Sequence, residues 1–274
     1  MKEFYTSKRR IEIDKPLIMG ILNITPDSFS DGGLFFPTDR AISRALEMVK
    51  EGADIIDVGA ESTRPGSKSI SVEEELDRLL PVLRELLKKV DIPISVDTRK
   101  PEVAKICIEE GVEIINDVSG LKNDRMLELA ISSKAAFIAM HMRGEPEYMH
   151  KLPPSENILG EINEFFLKLL SVKGLNDRLI LDPGIGFGKN VNENFEILSS
   201  LDKLKIGECP LLIGVSKKSF LGNFLGREVD ERLPATIAAN LFGIIKGVDI
   251  LRVHDVRENK DAIEVFYKLM KEDF

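Results

Sequence analysis

The residues equipped for chemistry in this 274-residue chain stand at the ends of short apolar runs. In chain order they are Asn23, Asp57, Asp97, Asn116 with Asp117, His141, Asp182, Ser216 to Lys218, and Arg252 with His254. Two chemistries separate out. Asp97, Asn116 and Asp182 suit a flat ligand that presents several N–H groups, because a buried carboxylate is tolerable only when a donor pairs with it. Asp57 either joins that set or orients a neighbouring loop. Arg64, Lys217, Lys218, Arg252 and His254 form the opposite group. A guanidinium offers phosphate or carboxylate a planar fork, and an ammonium offers a mobile point charge. Asn23, with the hydroxyls of Ser28 and Ser30 nearby, supplies neutral oxygens compatible with a hydrated Mg²⁺ that carries phosphate. Phe187 is either an aromatic wall for a flat ligand or a packed loop residue. His141 and His150 have no third ligand at metal spacing, so zinc is not indicated. No GxSxG elbow points to covalent catalysis.

Those ends require a scaffold that gathers them. Nearly continuous apolar runs predict strands over 17–22, 54–58, 93–97, 113–117, 135–140, 179–182, 211–215 and 248–253, as expected of parallel strands covered on both faces. Apolar residues at three- and four-residue spacing predict helices over 40–49, 72–90, 102–110, 125–131, 155–170, 191–201, 235–245 and 261–270. Ser71, three residues ahead of Glu74, reads as a capping box. Eight strands each followed by a helix is the count of an α/β fold of the closed (β/α)8 type, the TIM barrel, whose strand ends converge on one mouth. An open doubly wound sheet would serve as well up to the sixth strand. The eightfold count and the lack of GxGxxG after the first strand favour the barrel. Residues before Lys15, with Phe4, Tyr5, Ile11 and Ile13, read as a hairpin closing the barrel floor. No linker or composition break divides the chain, so residues 1–274 read as one domain. Two long Gly/Pro-punctuated loops each carry a residue able to reach over the mouth, Phe29 and Arg64. The stretch 182–189 has G-x-G-x-G spacing, weak grounds for a phosphate cradle.

Charge and composition narrow the classes further. The chain has 38 basic and 46 acidic residues, a net charge of −8, and 43% hydrophobic residues. That excludes disordered and collagen-like chains, and it argues against nucleic-acid binding, which needs a basic face. The longest stretch without charge, 233–245, falls short of the ~20 residues of a membrane span. The first fifteen residues lack an apolar signal core. Cys107 and Cys209 stand apart without CxxC spacing. A soluble, cytoplasmic protein with no membrane partner is expected. An anionic ligand would oblige this acidic chain to gather positive charge locally, as its cationic strand ends do.

Taken together, the motifs resemble those of the dihydropteroate synthases, pterin-binding barrels of the folate pathway. The resemblance rests on Met19-Gly-Ile-Leu-Asn-Ile-Thr-Pro-Asp-Ser-Phe-Ser-Asp-Gly-Gly33 and Asp57-Val-Gly-Ala-Glu-Ser-Thr-Arg-Pro-Gly66. It extends through Ser95-Val-Asp-Thr-Arg-Lys100, Ile115-Asn-Asp-Val-Ser-Gly120, Asp182-Pro-Gly-Ile-Gly-Phe-Gly-Lys189, Ser216-Lys-Lys-Ser219 and Arg252-Val-His-Asp-Val256. It implies a transferase that condenses 6-hydroxymethyl-7,8-dihydropterin diphosphate with 4-aminobenzoate, with Mg²⁺ as cofactor and a homodimer as the assembly. It also implies roles. Asp97, Asn116, Asp182 and Lys218 would hold the pterin; Thr63, Arg252 and His254 would hold the diphosphate; Asn23 would touch the Mg²⁺. Phe29, Arg64, Pro65, Phe187 and Ser219 would form the aminobenzoate pocket. Asp97, Asp182, Lys218, Arg252, His254 and Arg64 would carry the catalysis. Arg99, Lys217 and the segment after Lys189 depart from the family's common residues. Two alternatives are a barrel that passes methyl groups from methyltetrahydrofolate to a corrinoid protein and a non-catalytic pterin-binding relative.

Overall fold

The computed structural model describes residues 2–25, 36–62, 69–145 and 148–271. Eight parallel strands form the barrel: β3 (Leu17–Asn23), β4 (Ile55–Gly59), β5 (Ile94–Asp97), β6 (Ile114–Asp117), β7 (Ala136–Met140), β8 (Leu179–Asp182), β9 (Leu212–Ile213) and β10 (Ile250–Val253). Their order runs β8-β7-β6-β5-β4-β3-β10-β9, and one parallel bridge from Leu181 to Leu211 brings β8 back to β9. Around them lie α1 (Phe36–Lys50), α2 (Val72–Lys89), α3 (Pro101–Glu110), α4 (Asp124–Ser132), α5 (Ile158–Leu170), α6 (Val191–Ser199), α7 (Ser219–Leu225), α8 (Leu233–Ile245) and α9 (Val256–Lys271).

Strand residues alternate between two buried environments, which is why the runs are apolar throughout. Ile18, Leu22, Ile56, Val58 and Val96 face the helices. Met19, Ile55, Ile114, Ile138, Ile180 and Ile250 fill the barrel interior. Continuing that alternation toward the C-terminal ends puts Asn23, Asp57, Asp97, Asn116, Asp182 and Arg252 on the interior side. The polar mouth is thus a direct consequence of strand register.

The floor is closed by a hairpin of β1 (Lys2–Tyr5) and β2 (Arg10–Ile13), antiparallel with Phe4 opposite Ile11. Phe4 is fully buried and joins the interior cluster with Ile13. Polar anchors hold the plug. Lys2 donates to Asp249 at 2.8 Å and to the Cys209 carbonyl at 2.9 Å. The buried Glu113 carboxylate accepts from Thr6 Oγ1 at 2.7 Å and twice from Arg9, at 3.0 and 2.9 Å, so it is not left unpaired.

Three local expectations need correcting. The strand expected over 211–215 ends at Ile213, where its pairing with β10 stops at Leu251; the chain then turns at 216–217, with Lys217 at a left-handed φ of 55°. It is followed by an unexpected helix, α7, whose seven residues, Ser-Phe-Leu-Gly-Asn-Phe-Leu, are too few and too apolar to show a periodic face; Gly226 stops it at φ 65°. The capping box at Ser71 is only half made. Ser71 Oγ accepts from the Glu74 amide at 3.1 Å, while the Glu74 carboxylate turns to Arg78. The reciprocal box occurs at α6 instead, between Asn190 and Glu193.

Candidate active site

Register builds the mouth. Asn23 pairs with Gly59, Gly59 with Asp97 and Asp97 with Asn116. One level of the barrel thus offers an amide, a bare backbone, a carboxylate and a second amide. Arg252 reaches in from β10, its Nε donating to Asp57 Oδ2 at 2.6 Å and its Nη2 to Asp97 Oδ2 at 2.8 Å. Asn116 Nδ2 donates to the same Asp57 oxygen at 3.1 Å. Asp57 is fully buried, one step below the mouth, and orients Arg252 and Asn116. One guanidinium therefore serves two carboxylates, and acceptors are in excess: Asp57 Oδ1, Asp97 Oδ1 and Ser95 Oγ are buried with no partner among the described residues. Burial raises Asp97 to about 7, with Arg252 opposing and Asp57 adding to the rise. Burial also raises Asp182, against the pull of Lys218 and the Gly184 amide, which donates to its Oδ1 at 2.7 Å.

The loop after β8 supplies the opposite wall. Lys218 caps α7, donates to the Ile185 carbonyl and lies 4.6 Å from the centre of the Phe187 ring. Burial lowers its pKa to about 8. Gly186 has φ 84°, and a β-carbon there would stand 3.1 Å from Lys218 Cδ, so the turn needs glycine. The phosphate-cradle expectation fails here. The Gly184 and Gly186 amides are consumed by Asp182 and Asn194. The carbonyls of Gly184, Ile185 and Phe187 face Lys189 and Lys218, so the loop cradles cations.

Not every polar strand end converges. Asp117 turns outward and ties a turn, accepting from the Ser119 amide and hydroxyl at 2.8 and 2.6 Å and from the Leu121 amide at 2.8 Å. His141 also faces the helical layer, edge-on to Phe165 of α5 at 5.5 Å, and burial drives its pKa down to about 3. Lys217 is drawn aside by Asp255 at 2.8 Å. His254 does approach the seventh strand end, its Nδ1 2.9 Å from Ser216 Oγ. Ser219 is exposed at the start of α7, beside Lys218. Arg99 pairs with Glu61 at 3.3 Å and Glu145 at 3.4 Å, away from Asp97. Phe29, Thr63, Arg64 and Pro65, with Ser28 and Ser30, lie outside the described residues.

The sequence reading missed an apolar wall. Val118, Met140, Met142 and Met149 cluster with Leu152 and Phe187. Met140 was legible: Ala136 and Ile138 face the interior, so the next residue but one must follow. Such adaptable thioethers suit contact with a flat ring.

A divalent cation has one well-placed oxygen here. Asn23 Oδ1 lies 3.7 Å, and Asp97 Oδ2 4.0 Å, from where a β-carbon on Gly59 would stand, so both oxygens border the space left by that missing side chain. No group of three His, Cys, Asp or Glu suited to a metal occurs among the described residues. This donor set fits an Mg²⁺ that arrives on a phosphate and keeps water in its shell.

Known proteins share this chain's sequence pattern and fold. The family described as "Pterin binding enzyme" matches residues 19–254. The dihydropteroate synthase of Escherichia coli K12 is 40% identical over 259 residues, covering 93% of this chain and 92% of its own. A structure of Xanthomonas albilineans dihydropteroate synthase with 4-aminobenzoic acid superposes with a TM-score of 0.91 at 36% identity, covering 99% of each chain. A Yersinia pestis dihydropteroate synthase in a sulfonamide drug complex gives the same TM-score and identity, covering 98% of this chain and 100% of its own.

Proposed function

The chain belongs to the pterin-binding enzymes, in the dihydropteroate synthase family, and from that premise we propose that it condenses 6-hydroxymethyl-7,8-dihydropterin diphosphate with 4-aminobenzoate, releasing 7,8-dihydropteroate and diphosphate. The observation that carries the proposal is the surplus of buried acceptors around one guanidinium, with Asp57 Oδ1 and Asp97 Oδ1 unpartnered among the described residues. A heterocycle rich in N–H groups would satisfy that kind of surplus.

In this reading Asp182 accepts from the amino–amide edge of the pterin, with Asn116, Asp97 and Lys218 completing the grip. Met140 and Val118 press on the ring. The diphosphate goes to Arg252, His254 and Thr63, with Asn23 as the protein contact of Mg²⁺. That ion, when bound, would offset the charge developing on the leaving group. The C–O bond to diphosphate breaks with its electron pair leaving on oxygen. The methylene carbon becomes electron-poor and shares the deficit with the ring. Asp97 and Asp182 supply negative charge beside it before the reaction begins, so little reorganisation is required. The amine nitrogen of aminobenzoate then forms the C–N bond and loses one proton to solvent. It is a neutral nucleophile, so alignment is needed more than a strong base. Phe187, Ser219, Phe29, Arg64 and Pro65 take the aminobenzoate, and this pocket is the place where a sulfonamide would compete.

The reading extends to the assembly. Between α6, α7 and α8 runs an apolar groove of about 650 Å³, lined by Phe195, Leu198, Leu221, Phe224, Ala239 and Phe242. We assign it to a second copy of the chain in a homodimer. A cytoplasmic location, with no membrane or nucleic-acid partner, completes the proposal. No helix among the described residues is long and apolar enough to cross a membrane.

The test is direct. Purified protein given the pterin diphosphate, aminobenzoate and Mg²⁺ should form dihydropteroate and diphosphate in equal amounts. Pterin binding without any product would favour a non-catalytic relative. Methyl transfer from methyltetrahydrofolate to a corrinoid protein would favour the other barrel chemistry.

A further inference from the structure

Lys189 is the buried cation that the reaction does not use. It is only 8% exposed, and its three N–H donors go to three backbone carbonyls: Gly184 at 2.8 Å, His141 at 3.0 Å and Phe187 at 3.1 Å. No carboxylate lies within ion-pair distance of it among the described residues, so carbonyl oxygens alone hold the ammonium. They come from the end of β7 and from the loop after β8. These two segments touch backbone to backbone. A β-carbon on Gly184 would stand 2.0 Å from the His141 carbonyl oxygen, and one on Gly188 would stand 2.2 Å from that of Arg143. Two of these oxygens also accept a backbone amide, Gly184 O from Phe187 N–H at 3.1 Å and Phe187 O from Arg143 N–H at 3.5 Å, while the His141 oxygen has Lys189 as its donor among the described residues; without the ammonium the two segments lose the one group that joins all three carbonyls.

We propose that Lys189 is a positioning residue for both substrates, acting through the loop it pins. This inference rests on the synthase reading above. Two linkages carry it. Gly184 accepts from Lys189 through its carbonyl oxygen and donates its amide to Asp182 Oδ1 at 2.7 Å, so the ammonium, by fixing this residue, sets the direction of the pterin-binding carboxylate. The Phe187 peptide gives its oxygen to Lys189, while its ring carries Lys218 at 4.6 Å. One compact ammonium thereby holds a pterin ligand and the Phe187–Lys218 wall in a common geometry. A guanidinium, planar and larger, cannot point three donors at the same convergent oxygens.

Arg178 is the control. At the opposite end of β8 it likewise donates to three carbonyls, those of Ala130, Ala135 and Gly174, far from the mouth. Both Lys189→Met and Arg178→Met should lower Tm. In the folded protein, Lys189→Met should lose about 10²-fold in kcat/KM for each substrate, as a displacement near 1 Å does. Its affinity for 6-hydroxymethylpterin, measured by calorimetry without turnover, should also fall. Arg178→Met should keep the wild-type constants. Wild-type constants and pterin affinity in Lys189→Met would overturn the inference, and so would equal losses in both variants. If Lys189→Met does not fold, Lys189→Arg is measured by the same criteria. A wild-type protein without synthase activity would refute the reaction, and pterin affinity would still test the pin.

Discussion

At the mouth, Asp97 and Lys218 are displaced toward each other by the same cause. Burial raises the carboxyl to about 7 and lowers the ammonium to about 8. Below about 7 Asp97 is protonated and loses its negative charge; above about 8 Lys218 is neutral and loses its positive charge. The pH profile of kcat/KM for the pterin diphosphate should therefore be a narrow bell, with a limb from each group. Lys218→Arg should move the alkaline limb out of range, because a guanidinium stays protonated. Asp97→Asn should remove the acid limb and lower the plateau. A flat profile from about pH 6 to 9 would contradict these assignments. Part of this site was legible in single residues. Asp97, Asn116, Asp182 and Arg252 do share the mouth, because alternation along a strand is a local property. Asp57 could not be assigned beforehand, since its partner Arg252 lies 195 residues away. His141 and Asp117 misled for a related reason: each stands one position out of phase and faces the helices instead.

Among the elements, the hairpin and the barrel divide stability from chemistry. Phe4 is fully buried in the floor cluster, at the end of the barrel opposite Asp97. Phe4→Ala should cost about 3–5 kcal/mol of stability. The KM values of the folded variant should not change, as denaturant titration and steady-state kinetics would show together; altered KM values would mean that floor and mouth are coupled. The parallel strands and longer helices were readable because their periods repeat over several residues. α9 begins earlier than its pattern suggested because Asn259 interrupts it. That residue is nearly fully buried, accepting from Asn240 Nδ2 at 2.8 Å and donating to the Asp255 carbonyl at 2.7 Å. A polar pair that bridges two helices has no signature in either sequence segment.

For the whole molecule, α8 joins two observations. It is the stretch without charge noted in the sequence, and it leaves Phe242 43% and Ile245 65% exposed beside Phe224 at 65%. On a chain of net charge −8, such a contiguous apolar face is a candidate for burial against another surface. Phe242→Asp should convert the proposed dimer to a monomer in light scattering. A wild-type monomer, or a variant that stays dimeric, would remove the basis for assigning this face.

The sequence by itself determined the eight-stranded barrel, the floor hairpin and the motifs of the family, because these depend on short-range periodicity and on contiguous residues. Only the tertiary structure decided which charges share a partner. Arg252 lies between Asp57 and Asp97, Lys218 lies against Phe187, and three carbonyls from two segments close on Lys189. Electrostatic energy depends on distance in space and on exclusion of water, and neither is set until strands far apart in the chain come into register.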